Sequence, residues 1–322
     1  MCRVSLHRLG LIALLASLLS LPSPAQKTSA QPATLDANTV WRQNQAAWRA
    51  QREHELAAPD GWLTLVGLEW LKSGVNSIGS AADNSIHLSP TAPAHIGLLT
   101  VSGKTPKDTF IQLLSPHDGF PADLMLDGRA AREGTLTISD SSPSTLTWHG
   151  LSLVVLSRGD RFVLRIKDAD SPTRTGFRGL HWYSLNPDFR VTARWVPFKP
   201  PRVEKIPTVI GTTLDMPAPG VAEFLLLGKV YILEPVIEGG DTHHLFFILR
   251  DATSQSTTYG AGRFLTTGLP DHGLDQPGAI TLDFNQLYNP PCAYTPYATC
   301  PLPPEQNRLP VAIEAGEQRY TP

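Results

Sequence analysis

The residues from Asp283 to Glu317, DFNQLYNPPCAYTPYATCPLPPEQNRLPVAIEAGE, concentrate groups that could do chemistry. Asp283, Asn285 and Asn289 open the run, Asn307 and Arg308 leave its middle, and Glu314 and Glu317 flank Gly316. Carboxylates, amides and a guanidinium together suit recognition of a sugar or other polyol, a divalent cation, or general acid/base work. Asp283, Glu314 and Glu317 are the candidate acids and bases. Asp283, Asn285, Asn289 and Asn307 are the candidate ligand contacts. The competing reading is structural, because Asp and Asn also cap turns and satisfy loop backbone.

Six of the fifteen residues from Pro290 to Pro304 are proline. Each removes a donor and fixes φ, so the run is neither helix nor central strand but a stiff, irregular loop. Cys292 and Cys300 close it. In an exported chain a pair this near in sequence reads as a disulfide, worth about 2–3 kcal/mol on the chain-entropy model. A two-sulfur metal or redox site is the alternative, and the C-x7-C spacing lacks the zinc pattern.

Two further clusters stand outside this run. Asp251 closes an apolar strand, and Arg263 follows twelve residues later, with Tyr259 between. They form either an ion pair across a hairpin or, for Arg263 and Tyr259, ligand contacts beside the proline loop. Arg158 and Arg161 lie opposite each other if Gly159-Asp160 is a two-residue turn, and Arg165 shares their face. Like charges so placed need a negative partner, which could be a ligand anion or Asp160, Asp168 or Asp170. There is no G-x-S-x-G elbow, H-E-x-x-H, P-loop or complete G-x-G-x-x-G. His243 and His244 point to opposite faces of a strand, one buried and one exposed, and make a poor metal pair. Trp62, Trp70, Trp182 and Trp195 fall among apolar strands as core. No metal site and no cofactor is implied.

The elements that must position these groups are mostly strands. A helix is expected within 36–58, capped by Asp36, docking Trp41 and Trp48 on a body, with Gln, Arg and Glu on its other faces. From Trp62 onward, short alternating runs such as WLTLVGLEWL, LSLVVLSR, RFVLRIK, THHLFFILR and AITLDF read as strands. His149-Gly150, Gly159-Asp160 and Gly228-Lys229 read as hairpin turns. The expected fold is mainly β, a β-sandwich or barrel-like set of antiparallel sheets with one N-terminal amphipathic helix. Two β sub-structures, 59–196 and 221–322, would be joined by a proline-rich connection at 197–220; one large barrel or sandwich crossed by that stretch is the alternative.

Arg3, His7 and Arg8, then the apolar Leu9–Leu21 and Ser23-Pro24-Ala25, read as a signal peptide over residues 1–25, followed by a disordered linker at 26–35. The apolar run is too short for a stable membrane span. The expected location is periplasmic or extracellular. Its removal leaves 25 basic and 29 acidic residues, a formal charge of −4. That balance, without a lysine-rich run, excludes a typical nucleic-acid binder. Charged residues make up 17% of the chain, beside 29 prolines and 25 glycines, a turn-rich β composition.

NPPCAYTPYATCPLPP and NRLPVAIEAGE resemble one family of unknown function, DUF1684. Gly61-Trp62-Leu63, Gly67-Leu68, Trp70-Leu71, Arg158-Gly159 with Arg161, Asp251 with Thr253, Thr258-Tyr259 and Gly262-Arg263 fit it too. The resemblance runs from about Trp41 to the end and implies no particular activity. KSGVNSIGS and NSIHLS are similar to the opening of forkhead-associated domains, which adds to the sandwich expectation. Ser80 stands where that motif prefers arginine, so phosphopeptide binding is not implied.

Three functions fit: a small-molecule or glycan binding module using the Asp283–Glu317 segment; a hydrolase or isomerase with a carboxylate pair there; or a structural protein without a ligand site. The first ranks highest, because no nucleophile–base set is recognisable. Oligomeric state is not legible.

Overall fold

A computed structural model describes residues 36–321 other than 104, 106, 107 and 140. The expected signal peptide and linker lie outside the described residues. Asp36 caps the helix as expected: its Oδ1 accepts from Thr39 N at 2.9 Å, and α1 runs Ala37–Ala57. Its docked face is unusual, because the helix residues that become buried are Gln45 and Leu56.

The chain is mainly β. Its first group of strands is β1 (Leu65–Trp70), β2 (Gly74–Gly79), β3 (Ile86–His87), β4 (Gly97–Ser102), β5 (Phe110–Leu114), β6 (Met125–Leu126), β7 (Arg129–Ala130), β8 (Gly134–Thr135), β9 (Thr145–Trp148), β10 (Leu151–Arg158) and β11 (Arg161–Asp168). They form two sheets, ordered β1-β11-β10-β9-β6-β7 and β3-β2-β4-β5-β8. Pairing is antiparallel except between β2 and β3. Inward residues alternate along β10 and meet the other sheet: Leu153 and Val155 share a core with Ile78, Leu99, Ile111 and Leu113. This is sandwich packing of two sheets on one apolar layer.

Residues 169–189, with the short helix α2 (Pro172–Thr175), carry the chain to the second group. This comprises β12 (Arg190–Pro207), β13 (Thr213–Leu226), β14 (Lys229–Leu233), β15 (His244–Leu249), β16 (Arg263–Gly268) and β17 (Gly278–Asp283). The sheets are β14-β13-β12-β17 and β15-β16. The apolar run in β15 serves two cores. Leu245, Phe247 and Leu249 join one cluster with Trp195, Phe224 and Leu282, while Phe246 and Ile248 join another with Ile206 and Phe264. A strand buried on both faces has no reason to alternate.

Several expectations need correction. Residues 197–220 are not a connection between sub-structures: most of them are paired strand in the β12–β13 hairpin. Pro200 and Pro201 fall in a register shift between Pro197 and Arg202, where a sheet tolerates a missing donor, while Pro197, Pro207 and Pro217 stand within the paired register. The β13–β14 turn is Leu227-Gly228, one residue earlier than expected, with φ of 50° and 77°. His149-Gly150 and Gly159-Asp160 are turns as expected. His243 and His244 are both exposed, because β15 begins at His244; His244 Nδ1 lies 2.9 Å from Asp241 Oδ2. Of the four tryptophans assigned to the core, Trp195 is fully buried and the others are partly exposed.

After β17 the described residues follow an irregular course, with short 3-10 turns at Phe284–Gln286, Pro291–Ala293 and Glu305–Asn307. Cys292 and Cys300 form a disulfide with Cα atoms 6.2 Å apart. Among the described residues no helix is long and apolar enough to cross a membrane.

Candidate functional site

The polar groups of the C-terminal segment act mainly as internal fasteners. Arg263 is completely buried. Its Nη2 donates to Asp251 Oδ1 at 3.0 Å and to Ile313 O at 2.9 Å, and its Nη1 donates to Ala315 O. Asp251 Oδ2 accepts from Ile313 N and Thr253 Oγ1, both at 2.8 Å. The ion-pair reading of Asp251 and Arg263 therefore holds, and the pair clamps residues 313–315. Burial pulls the Arg263 guanidinium below its ordinary pKa, and Asp251 opposes that.

Asn307 is buried and spends its amide on the backbone of Glu234 and Ile248. Asn285 is buried and bonds Asp283 and the backbone of Asn186. Tyr259 donates its hydroxyl to Cys292 O at 3.0 Å. Arg263, Asn285, Asn289 and Asn307 thus lie beneath the surface, out of a ligand's reach in this conformation, because the irregular backbone needs their donors and acceptors. Glu314 is exposed, whereas Asp283 and Glu317 are buried.

Glu317 is fully buried. Its Oε1 accepts from Asn289 Nδ2 at 2.7 Å and from the Tyr294 hydroxyl, its Oε2 from Asn289 N at 3.0 Å, and Arg52 Nε lies 3.7 Å from Oε2. Burial pushes the Glu317 carboxyl up, and Arg52 pulls the other way. Burial and the Glu317 charge push the Tyr294 hydroxyl far up, so it stays protonated as a donor.

Helix α1 is the partner that sequence reasoning missed. Trp41 Nε1 and Gln45 Nε2 donate to Asp283 Oδ2 at 2.7 and 2.9 Å. Arg52 donates to Asn289 O at 2.9 Å and stacks on Tyr288 at 4.7 Å. Glu53 accepts from Leu180 N and Trp182 Nε1, both at 3.1 Å. Residues 41, 45, 48, 52 and 56 recur at three- and four-residue spacing, one face of a helix. That stripe includes Gln45 and Arg52, and a polar residue inside a docking stripe signals a buried polar contact. Asp283 and Glu317 thus meet α1 seven residues apart, about 10 Å along its axis.

Between α1 and the strands β16 and β17 lies a groove with two adjoining hollows of about 260 and 280 Å³. Thr266 and Gln286 line both. Trp48, Arg52, Glu55 and Tyr288 line one; Trp41, Asn44, Gln45, Arg190, Thr281 and Asp283 line the other. Gln45 Oε1 is buried there without a hydrogen-bond partner. The formal charges of the lining residues Arg52, Arg190, Glu55 and Asp283 sum to zero. Among the described residues no group of three or more His, Cys, Asp or Glu could hold a metal ion.

The arginines of the β10–β11 hairpin lie elsewhere. Arg158 and Arg161 do face each other in the register. Arg158 donates to Thr299 Oγ1 at 3.0 Å, Arg161 stacks on Trp70 at 3.8 Å and Arg165 on Trp62 at 5.4 Å. An aromatic face accommodates a guanidinium without a carboxylate.

One acid outside the expected set is strongly perturbed. Burial, and next the neighbouring Glu204, push the Glu234 carboxyl up to about 7. A carboxyl whose folded pKa exceeds its unfolded value takes up a proton on folding. Its favourable contribution is full below about 4.5 and is lost as pH rises through about 7. The melting temperature should therefore fall between pH 5 and 7.5 by more in the wild type than in Glu234→Gln. Parallel profiles from calorimetry would remove Glu234 as the cause.

Comparison with known proteins places the segment just described. A family described as "Protein of unknown function (DUF1684)" matches residues 175–318. The chain belongs to this family. The DUF1684 match takes in β12 to β17 and the whole Asp283–Glu317 segment. It begins at Thr175, so α1, the first sandwich and the Gly61–Leu71 motifs lie outside it. The floor of the groove is thus within the DUF1684 region, and the helix that walls it is not. The solution NMR structure of an uncharacterized protein of Haloarcula marismortui is 34% identical, over 45% of this chain and 78% of that one, with a TM-score of 0.39. No curated protein matches the chain.

Proposed function

We propose that this protein is a binding module for a small uncharged polyhydroxylated ligand, a sugar or glycan, held in the groove between α1 and β16–β17. The observation that carries this reading is the lining of the groove beside Asp283, where the accessible amides of Asn44 and Gln286 and the hydroxyls of Thr266 and Thr281 surround a hollow of about 280 Å³. Ligand hydroxyls can both donate to and accept from these amides and hydroxyls. The balanced charge of the lining favours a neutral ligand over an anion or a cation. Trp41 and Trp48 offer apolar area beside amides and threonine hydroxyls, a combination suited to alternating C–H and O–H groups. The signal-peptide character of residues 1–25 supports a site that meets its ligand outside the cytoplasm.

A thermal-shift titration of the protein with glucose, N-acetylglucosamine and their linear trimers tests the proposal, with inorganic phosphate and calcium as controls. Saturating sugar should stabilise by about 2.7 kcal/mol at one hundred times Kd. The double variant Asn44→Ala/Gln286→Ala should keep the unliganded melting temperature and lose the shift. A response to phosphate or calcium alone, or an unaltered shift in the variant, would sink the assignment.

A further inference from the structure

The β14 edge of the second group carries an independent inference. β14 ends its sheet, with β13 as its neighbour there. The two-residue turn Leu227-Gly228 makes Leu226 and Lys229 the hydrogen-bonded pair that closes the hairpin. Alternation then directs the backbone groups of Lys229, Tyr231 and Leu233 towards β13, and those of Val230 and Ile232 outward from the sheet. These same two residues are exposed aliphatics, at 71% and 47%. Leu225, opposite Val230 on β13, and Leu227 at the turn are 62% and 66% exposed. Leu227 holds a left-handed φ of 50°, where Asn or Gly is the usual choice. Edges of native sheets are normally protected by charge, proline or a bulge, and Val230 and Ile232 supply none of these.

We propose that β14 pairs antiparallel with β14 of a second copy of this chain, about a two-fold axis through Tyr231. In this register Val230 of one copy faces Ile232 of the other, twice. The outward backbone groups then close two reciprocal hydrogen-bonded pairs, and the four aliphatic side chains form one apolar strip flanked by the two Leu225 residues. The pairing is self-complementary, as an isologous interface requires. One residue of register slip in either direction breaks the match of outward donors and acceptors. A five-residue edge is about 17 Å long, so it buries less than the roughly 800 Å² per partner of a stable complex, which makes the association weak and concentration-dependent.

The test uses the full chain in a Cys2→Ser background. Val230→Cys and Ile232→Cys are made separately, oxidised separately, and oxidised as a mixture. Hydrogen-bonded antiparallel partners have Cα atoms about 5.5 Å apart, inside the disulfide range, so the mixture should give at least about ten-fold more covalent dimer than either alone. Sedimentation velocity should show wild-type dimer growing into the high micromolar range. Val230→Lys/Ile232→Lys should be monomeric with an unchanged far-ultraviolet spectrum. Equal cross-linking in all three samples, or a wild type that stays monomeric, overturns the proposal. So does binding to phosphatidylcholine–phosphatidylserine vesicles by a chain that does not self-associate, since that would assign the strip to lipid.

Discussion

Arg263→Ala should lower the unfolding free energy by about 3–5 kcal/mol, a large fraction of a typical domain's stability. The substitution leaves the Asp251 carboxylate in the core without its counter-ion and frees the carbonyls of Ile313 and Ala315. Asp251→Ala should cost a similar amount, because it strands the guanidinium and the Ile313 N–H. Replacing a buried ion pair by apolar residues is often neutral, but here both partners also hold backbone. Arg263→Met/Asp251→Leu should therefore fail to recover wild-type stability. Urea denaturation of the four proteins checks this, with limited proteolysis to show release of the segment around Ile313. Full recovery in the double variant would mean that the clamp on the backbone contributes nothing.

Arg52→Ala should be the second most damaging change, again about 3–5 kcal/mol at neutral pH. It removes the cation nearest the buried Glu317, the bond to Asn289 O and the stack on Tyr288. Its signature is in the pH dependence. Without Arg52 the folded pKa of Glu317, already raised by burial, moves further up. An acid so shifted is most favourable below its unfolded value of about 4.5 and progressively less so as pH rises through the folded value. The loss relative to wild type should therefore be smallest near pH 4.5, where only the bond to Asn289 O and the stack on Tyr288 are missed, and grow towards pH 8. Arg52→Ala/Glu317→Gln should regain part of the stability and lose most of the added pH dependence. A penalty that is constant from pH 4.5 to 8 would show that the charge on Glu317 is not what Arg52 offsets.

These two predictions also alter what Asp283 can report. If Asp283 were a ligand contact alone, Asp283→Ala would keep the fold and abolish ligand stabilisation. In the structure Asp283 bonds Trp41 and Gln45, and so fastens α1 as well as lining the groove. Its removal should loosen the helix, which is why Asn44 and Gln286 are the cleaner probes of the groove.

Local chemistry made a good part of this protein legible. The Asp36 cap, the β9–β10 and β10–β11 turns and the alternating strands follow from rules that act over a few residues. The irregular course of residues 284–317 follows from proline's missing donor and fixed φ. The pairing of Asp251 with Arg263 was also within reach, because twelve residues across one hairpin is a short search. Where local rules competed, they misled. Proline density at 197–220 suggests a loop, but a register shift takes in Pro200 and Pro201 and the paired strands carry Pro197, Pro207 and Pro217.

What the tertiary structure alone decided is which polar groups are fasteners and which face a hollow. Trp41 and Asp283 are 242 residues apart, and Gln45 lies 238 from the same carboxylate. Types and spacing place amides and carboxylates on a stiff segment, but whether their lone pairs and N–H groups meet water, a ligand or buried backbone depends on what packs over them. Here α1, from the opposite end of the described chain, packs over Asp283, Asn289 and Glu317. Asp283 then lines a groove while Glu317 is fully buried, an outcome set by desolvation and long-range packing.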